Sequence, residues 1–217
     1  MLDEITREES PEHHPTTARI LRAALEEFLA RGIRRAKMEE IARRAGVSRV
    51  TVHRRYPSKQ DLVTAVLIEE ARDLYARGRV IARAEKTLPD KVAAGFVFVL
   101  DYARHGKLAP LLFSDPGQFL PSFTTRGEPL ILLLRAYYLE IMRDSDVEYD
   151  SMETAADVLA RVVISYCLSR SGAADLHDSA AAADFARRHL APIIAPPDNG
   201  SGLRAPASER GRRPLPR

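Results

Sequence analysis

The chain has 217 residues, 45% of them hydrophobic, with one cysteine and no tryptophan, so it can bury one large or two small cores but cannot carry a disulfide framework. No apolar run approaches the roughly 20 residues of a membrane span, and the acidic start lacks a signal-peptide core, so a cytoplasmic protein without membrane contact is expected. The formal charge of +3 hides a block, residues 15–60, with twelve Lys or Arg against four acids, whereas residues 61–194 carry nineteen acids against fifteen bases. A basic block of this kind is the footprint that phosphate binding requires.

Residues 1–14 are acidic and polar, the composition of a disordered arm. His13 and His14 are adjacent, but nothing at metal-ligand spacing accompanies them, and no metal or cofactor is expected. Thr16 or Thr17 can cap a helix running to about Arg31. Ile20, Ala24, Phe28 and Leu21, Leu25, Leu29 form its apolar stripe, and Gly32 follows as a C-cap.

Met38 to Lys59 reads as two short helices joined by a tight turn. Ile41, Ala42 and Ala45 give the first helix an apolar face, and Gly46 supplies the turn. Ser48 caps the second helix, Val52 and Tyr56 pack back, and Pro57 closes the unit. Arg49, Val50, His53 and Arg54 are left facing outward. A helix-turn-helix needs this layout, with one helix bracing and the second presenting its N-terminal residues to a major groove. An ordinary helical hairpin with a solvated basic face is the plainer reading; the charge block favours DNA.

Ordered along the chain, Phe28, Gly32, Ile41-Ala42, Ala45-Gly46-Val47-Ser48, Thr51-Val52, Tyr56, Pro57-Ser58-Lys59 and Asp61-Leu62 resemble the TetR-type (tetracycline repressor) regulators over about residues 16–68. The sequence departs where Ala36 and Lys37 replace the usual Thr or Ser, where His53 replaces Tyr, and where Arg55 replaces His or Tyr. The resemblance implies that Lys59 and, by position, His53 hold the DNA backbone. Together with Lys37, Ser48, Thr51, Arg55 and Tyr56 they are the expected phosphate contacts or their supports. Arg34, Arg35, Arg43 and Arg44 would raise the local positive field.

Ser58 and Asp61 form a near capping box for a long helix to about Ala84, through Leu62, Ala65, Val66, Leu74 and Val80. The resemblance implies that this helix transmits ligand state to the DNA end. A helix over about 89–105 follows, then a short one from Leu108 to Phe113. Residues 114–129, with Pro116, Gly117, Pro121, Gly127 and Pro129, read as a loop. Phe119, Leu120 and Phe123 within it either pin it to the core or wall a ligand cavity. Leu130 to Arg143 is the most apolar stretch, a central buried helix interrupted by Arg135. That arginine faces solvent, meets Asp101 or Glu140, or meets an acidic ligand.

After an acidic loop at 144–152, helices at about 152–170 and 178–194 complete the chain. The Ala180–Ala183 run permits close helix approach. The resemblance implies that these two helices form a four-helix homodimer interface; packing within one chain is the alternative. Residues 195–217 read as a disordered basic tail.

The expectation is an all-α protein: arm 1–14, helix-turn-helix domain 15–60, ligand-binding and dimerisation domain 61–194, tail 195–217. It would be a dimeric repressor that binds a palindromic operator and is released by a small apolar or amphipathic effector. Candidate effector contacts are Phe96, Leu100, Phe113, Phe119, Phe123, Leu133, Tyr137, Tyr138, Tyr166 and Cys167. The alternative is a DNA-binding dimer whose C-terminal part serves only dimerisation or protein contact. No nucleophile motif, phosphate loop or metal spacing argues for an enzyme, and Cys167 lies in an apolar helix.

Overall fold

The first described helix carries its apolar residues Ile20, Leu21, Ala24 and Phe28 on one buried face, the 3.6-residue period of an amphipathic helix. This computed structural model describes residues 15–114, 116–143, 152–169 and 176–194, with the side chains at 113 and 114 outside that set. The expectations for 1–14, 195–217 and nearly all of the acidic loop fall outside the described residues. Within them, all regular structure is helical.

The helices are α1 (Pro15–Arg31), α2 (Met38–Ala45), α3 (Arg49–Arg55), α4 (Lys59–Ala84) and α5 (Leu88–His105). They are followed by α6 (Ala109–Ser114), α7 (Pro116–Phe119), a 3-10 turn (Leu120–Phe123), α8 (Glu128–Arg143) and α9 (Met152–Leu168). The last helical run comprises α10 (Ser179–Phe185), a π-helical turn (Ala186–Leu190) and α11 (Ala191–Ile194).

Three expectations are corrected. Thr17 is not a cap: α1 already starts at Pro15, and Thr17 is buried inside it. The described residues at 114–129 are not an irregular loop, because Pro116–Phe119 and Leu120–Phe123 form two short helical turns, with Pro121 in the first turn of the second, where proline is tolerated. Leu29 and Val80 leave the apolar stripes and are exposed.

Two apolar clusters share the molecule. One gathers Ile20, Phe28, Ile41 and Val52 around the N-terminal helices and continues through Leu62, Val66, Leu111, Phe119 and Leu130. The other packs α5, the C-terminal half of α8, α9 and the last helical run around Phe96, Tyr138, Leu159 and Leu190. Each fully buried Phe or Leu contributes about 1.5–3 kcal/mol relative to exposure. Helix α4, 26 residues and so about 39 Å long at 1.5 Å per residue, touches both clusters.

The π turn has a packing consequence. Before it, α10 lies on α5; after it, α11 packs against both α9 and α5. Phe185 and His189 stack across the turn at 5.0 Å, and Arg187 Nε donates to Asp90 Oδ1 on α5 at 2.8 Å.

Candidate nucleic-acid interface and effector cavity

The turn between α2 and α3 is built as its residues require. Gly46 adopts the left-handed conformation at φ 62°, and the Val47 amide donates back to the Ala42 carbonyl at 3.0 Å. Ser48 then caps α3, accepting from the Thr51 amide at 3.0 Å while its hydroxyl lies 2.8 Å from that of Thr51. Val52 is fully buried and Tyr56 packs partly against the same cluster.

That registers α3 so that Arg49, Val50, His53 and Arg54 are all exposed, Val50 to 73%. Lys37, Arg49, His53 and Lys59 share the rim of a shallow cleft between the start of α2 and the outward face of α3. An exposed valine among cations gains nothing in water, but it suits contact with a base methyl group.

The basic residues fall into two sets. Arg49 Nη1 lies 3.0 Å from Glu39 Oε1, an exposed pair. Arg43 and Arg44 both engage Glu40, and Arg44 also reaches Glu27 at 3.4 Å, so these two cations are largely balanced within the domain. Arg43 and then Arg44 hold the Glu40 carboxyl down to about 2. Arg55 donates to the Thr17 hydroxyl, which ties the end of α3 to α1. Lys59 Nζ donates to the carbonyls of Ile33 and Arg34 at 3.0 and 2.9 Å. Among the described residues no carboxylate pairs with Arg54.

Two contributors carry no signal in the sequence. Arg19 of α1 donates through Nε to the Ala45 carbonyl at 2.8 Å and through Nη2 to the Gly46 carbonyl at 2.7 Å. It thereby satisfies carbonyls that the end of α2 leaves open. Glu27, wholly buried, is held by Arg31 at 3.2 Å and by Arg44. Both contacts are tertiary or cross a helix face, and neither changes an apolar pattern.

A cavity lies where the two clusters meet. It is walled by α4 from Leu67 to Gly78, by α5 at Gly95, Phe98, Val99 and Tyr102, and by Leu108 and Leu112 of the α6 segment. Phe119, Phe123, Leu133, Tyr137 and Cys167 also line it, as expected. The space open to the centre of a water-sized sphere is about 100 Å³, and the walls are almost wholly apolar.

Phe96, Leu100 and Tyr138 do not line it. They are fully or nearly buried in the C-terminal core, with Tyr166 packed edge-on to Phe96. The physical reason is facing: on α5 Phe96 and Leu100 sit in the C-terminal core, Phe96 against Tyr166 and Phe185, whereas Phe98 and Tyr102 reach Gly78 and Glu70 of α4. Phe113 has no described side chain. Gly78 and Gly95 were the legible hint, since a glycine inside a helix costs about 1 kcal/mol relative to Ala and asks for a packing reason.

The cavity is connected to the start of α4. Ser122, buried in the 3-10 turn between Phe119 and Phe123, lies 3.0 Å from the Thr64 hydroxyl and accepts from Gln60 Nε2 at 3.3 Å. Arg126 donates to Asp61 Oδ1 at 2.7 Å. Asp61 is also the capping-box partner of Ser58, six residues beyond Val52 of the outward-facing helix. Arg135 finds neither expected carboxylate: Glu140 is taken by Tyr75, Arg79 and Arg83, and Asp101 pairs with His105. Burial pushes the Cys167 thiol up to about 12, which favours its neutral form over the thiolate.

No helix among the described residues is long and apolar enough to cross a membrane. No cluster of potential metal ligands occurs among them.

Comparison with known proteins places these features. Residues 20–66 match the family model for bacterial regulatory proteins of the tetR family. An uncharacterised HTH-type transcriptional regulator of Bacillus subtilis, YvkB, is 28% identical over 72% of this chain and 83% of its own length. The HTH-type transcriptional regulator SrpR of Pseudomonas putida is 40% identical, but over 29% of this chain and 30% of its own length. In structure, the chain resembles the TetR family repressor AlkX of Dietzia, implicated in biodegradation of n-alkanes, with a TM-score of 0.67 at 20% identity over 82% of this chain and 96% of that one. It also resembles the Thermus thermophilus repressor FadR in complex with lauroyl-CoA, with a TM-score of 0.54 at 24% identity over 88% and 98% of the two chains. At these identities the solved structures establish the fold.

Proposed function

By its helix-turn-helix domain this chain is a member of the tetR family of bacterial regulatory proteins, a transcriptional regulator, and from that premise we propose that it is a homodimeric repressor released from its operator by a small molecule. The observation that carries the DNA half is the outward face of α3: Arg49, Val50, His53 and Arg54 are exposed on a helix whose other side is locked by Val52, Ser48 and Arg55. Arg49, Val50, His53 and Arg54 read base edges. Lys37, Ser48, Thr51, Tyr56 and Lys59 meet or support the flanking phosphates. One short helix spans few base pairs, so two copies on half-sites about 34–36 Å apart supply the specificity. The domain division at residue 60 and pairing through α9 and the last helical run belong to the same proposal.

The cavity favours an effector over a C-terminal part that serves only dimerisation. A ligand there touches Phe119 and Phe123, which flank Ser122, and so acts on Gln60 and Thr64 at the start of α4, the helix that follows α3. A ligand that prefers the conformation in which the two α3 helices do not fit the groove shifts the population off DNA.

An electrophoretic mobility shift with fragments flanking the chain's own gene tests the reading. A shifted band is expected, lost on Arg54→Ala. The absence of any shift at low ionic strength would sink it.

A further inference from the structure

We infer that the cavity takes an uncharged, apolar molecule with a single hydrogen-bonding group, a long-chain alcohol or ketone in chemical class, and that Tyr137 is the residue that binds that group. This deepens the effector reading and rests on the cavity being the effector site. Tyr137 lines the cavity and is 4% exposed, and its hydroxyl is buried beside Gly95 with no hydrogen-bond partner among the described residues. The ring is slotted between two helix glycines. A Cβ at Gly78 would touch it at 3.4 Å, and one at Gly95 would collide with the hydroxyl itself. A helix interior gives up side chains at two facing positions to admit a phenol whose polar atom then goes unused. A buried hydroxyl in that state is satisfied most directly by the ligand.

Charge selects the rest of the molecule. Among the described lining residues Glu70 is the only ionised group. Its oxygens are already engaged by the Tyr102 hydroxyl at 2.6 Å and by Lys107 Nζ at 3.3 Å. A carboxylate ligand would sit in an apolar space beside that anion with no cation of its own. An ammonium would have to compete for a carboxylate already held by Lys107. Either charge loses its hydration without a partner. The body of the ligand lies along α4, where Leu67 and Gly78 are separated by about 16 Å at 1.5 Å per residue.

Isothermal calorimetry on the full chain with 1-octanol, octanoate and octylammonium separates the three charge classes at one chain length. Octanol should bind, with the two ions at least tenfold weaker. Tyr137→Phe should cost roughly five- to tenfold in octanol affinity, one hydrogen bond's share, and should raise the melting temperature of the free protein, because the stranded hydroxyl is gone. Glu70→Gln, should the Tyr137 variant misfold, ought to narrow the gap between octanol and octanoate. Equal or tighter binding of either ion, no uptake of any of the three, or a Tyr137→Phe affinity equal to that of the parent would overturn the inference. The heat is read without DNA. A chain that takes up octanol yet shifts no operator fragment defeats the regulatory reading alone, and the reverse pair of results defeats this one alone.

Discussion

The guanidinium of Arg19 occupies the space beside Gly46: a Cβ there would stand 2.8 Å from Arg19 Nη2, the atom that donates to the Gly46 carbonyl. The glycine is thus needed twice, for its left-handed φ and for the room it leaves. Gly46→Ala should destabilise the N-terminal helices by about 1–2 kcal/mol from conformation alone, and Arg19→Ala by about 1 kcal/mol from the hydrogen bonds. Urea unfolding of the two single variants and the double variant checks this. The double should fall short of the sum, because both changes break the same contact.

Neighbouring arginines on α3 should behave differently. Both are exposed, but Arg55 donates to the Thr17 hydroxyl of α1, whereas Arg54 has no carboxylate partner among the described residues. Arg54→Ala should cost roughly 1–3 kcal/mol on operator and much less on random DNA, as loss of a base contact does. Arg55→Ala should lower the melting temperature and weaken both DNAs alike. Fluorescence anisotropy on the two sequences, beside a thermal melt, reads both. Equal loss on operator and random DNA for Arg54→Ala would remove it from the groove.

Much of this interface was legible because local rules set it. Gly46, Ser48 and the Ser58–Asp61 box act within four residues of themselves, Val52 follows the period of its own helix, and all stand where their spacing predicts. The cavity was harder. Phe96 and Phe98 are two apart in the apolar middle of one helix, Val92–Leu100, and apolarity alone cannot say which of them faces α4. Their assignment depends on where α9 and the last helical run settle. The fate of Lys59, with two of its three donors on the Ile33 and Arg34 carbonyls, was hidden for the same reason. A phosphate at Lys59 can take the remaining donor and so would also brace the turn before α2.

The Ser122 link predicts an uncoupled variant. Ser122→Ala removes the hydroxyl that meets Thr64 and Gln60 without adding bulk. Its operator affinity and ligand affinity should each stay within about threefold, under 1 kcal/mol, while the ligand concentration needed for release rises. Anisotropy of the operator complex titrated with ligand measures this. Unchanged release would show that the signal leaves the cavity by another route, α4 itself being the obvious one.

Glu40 gives a pH signature. Arg43 and Arg44 hold its folded-state carboxyl near 2, against an ordinary value of 4.5. A depressed carboxyl stabilises the fold above its unfolded value and loses that contribution as protons bind to the folded form. The stability advantage of the parent over the Glu40→Gln variant, read by urea unfolding across pH, should therefore be constant above about pH 4.5, fade below it and vanish near pH 2. The pair is exposed, so the difference is small and should shrink further in high salt. An advantage that persists unchanged at pH 2 would mean that the arginines are not its source.

The wide turn at Ala186–Leu190 gives the end of the chain a tolerance rule. It carries one residue more than a regular helix of the same rise would use, and that surplus sets the facing of Leu190, Ala191 and Ile194, all of them buried. Shortening the chain by one position there would restore ideal backbone bonding, yet it would rotate those three side chains about 100° into water. Substitutions among small residues can be absorbed at this point, whereas a change of length cannot.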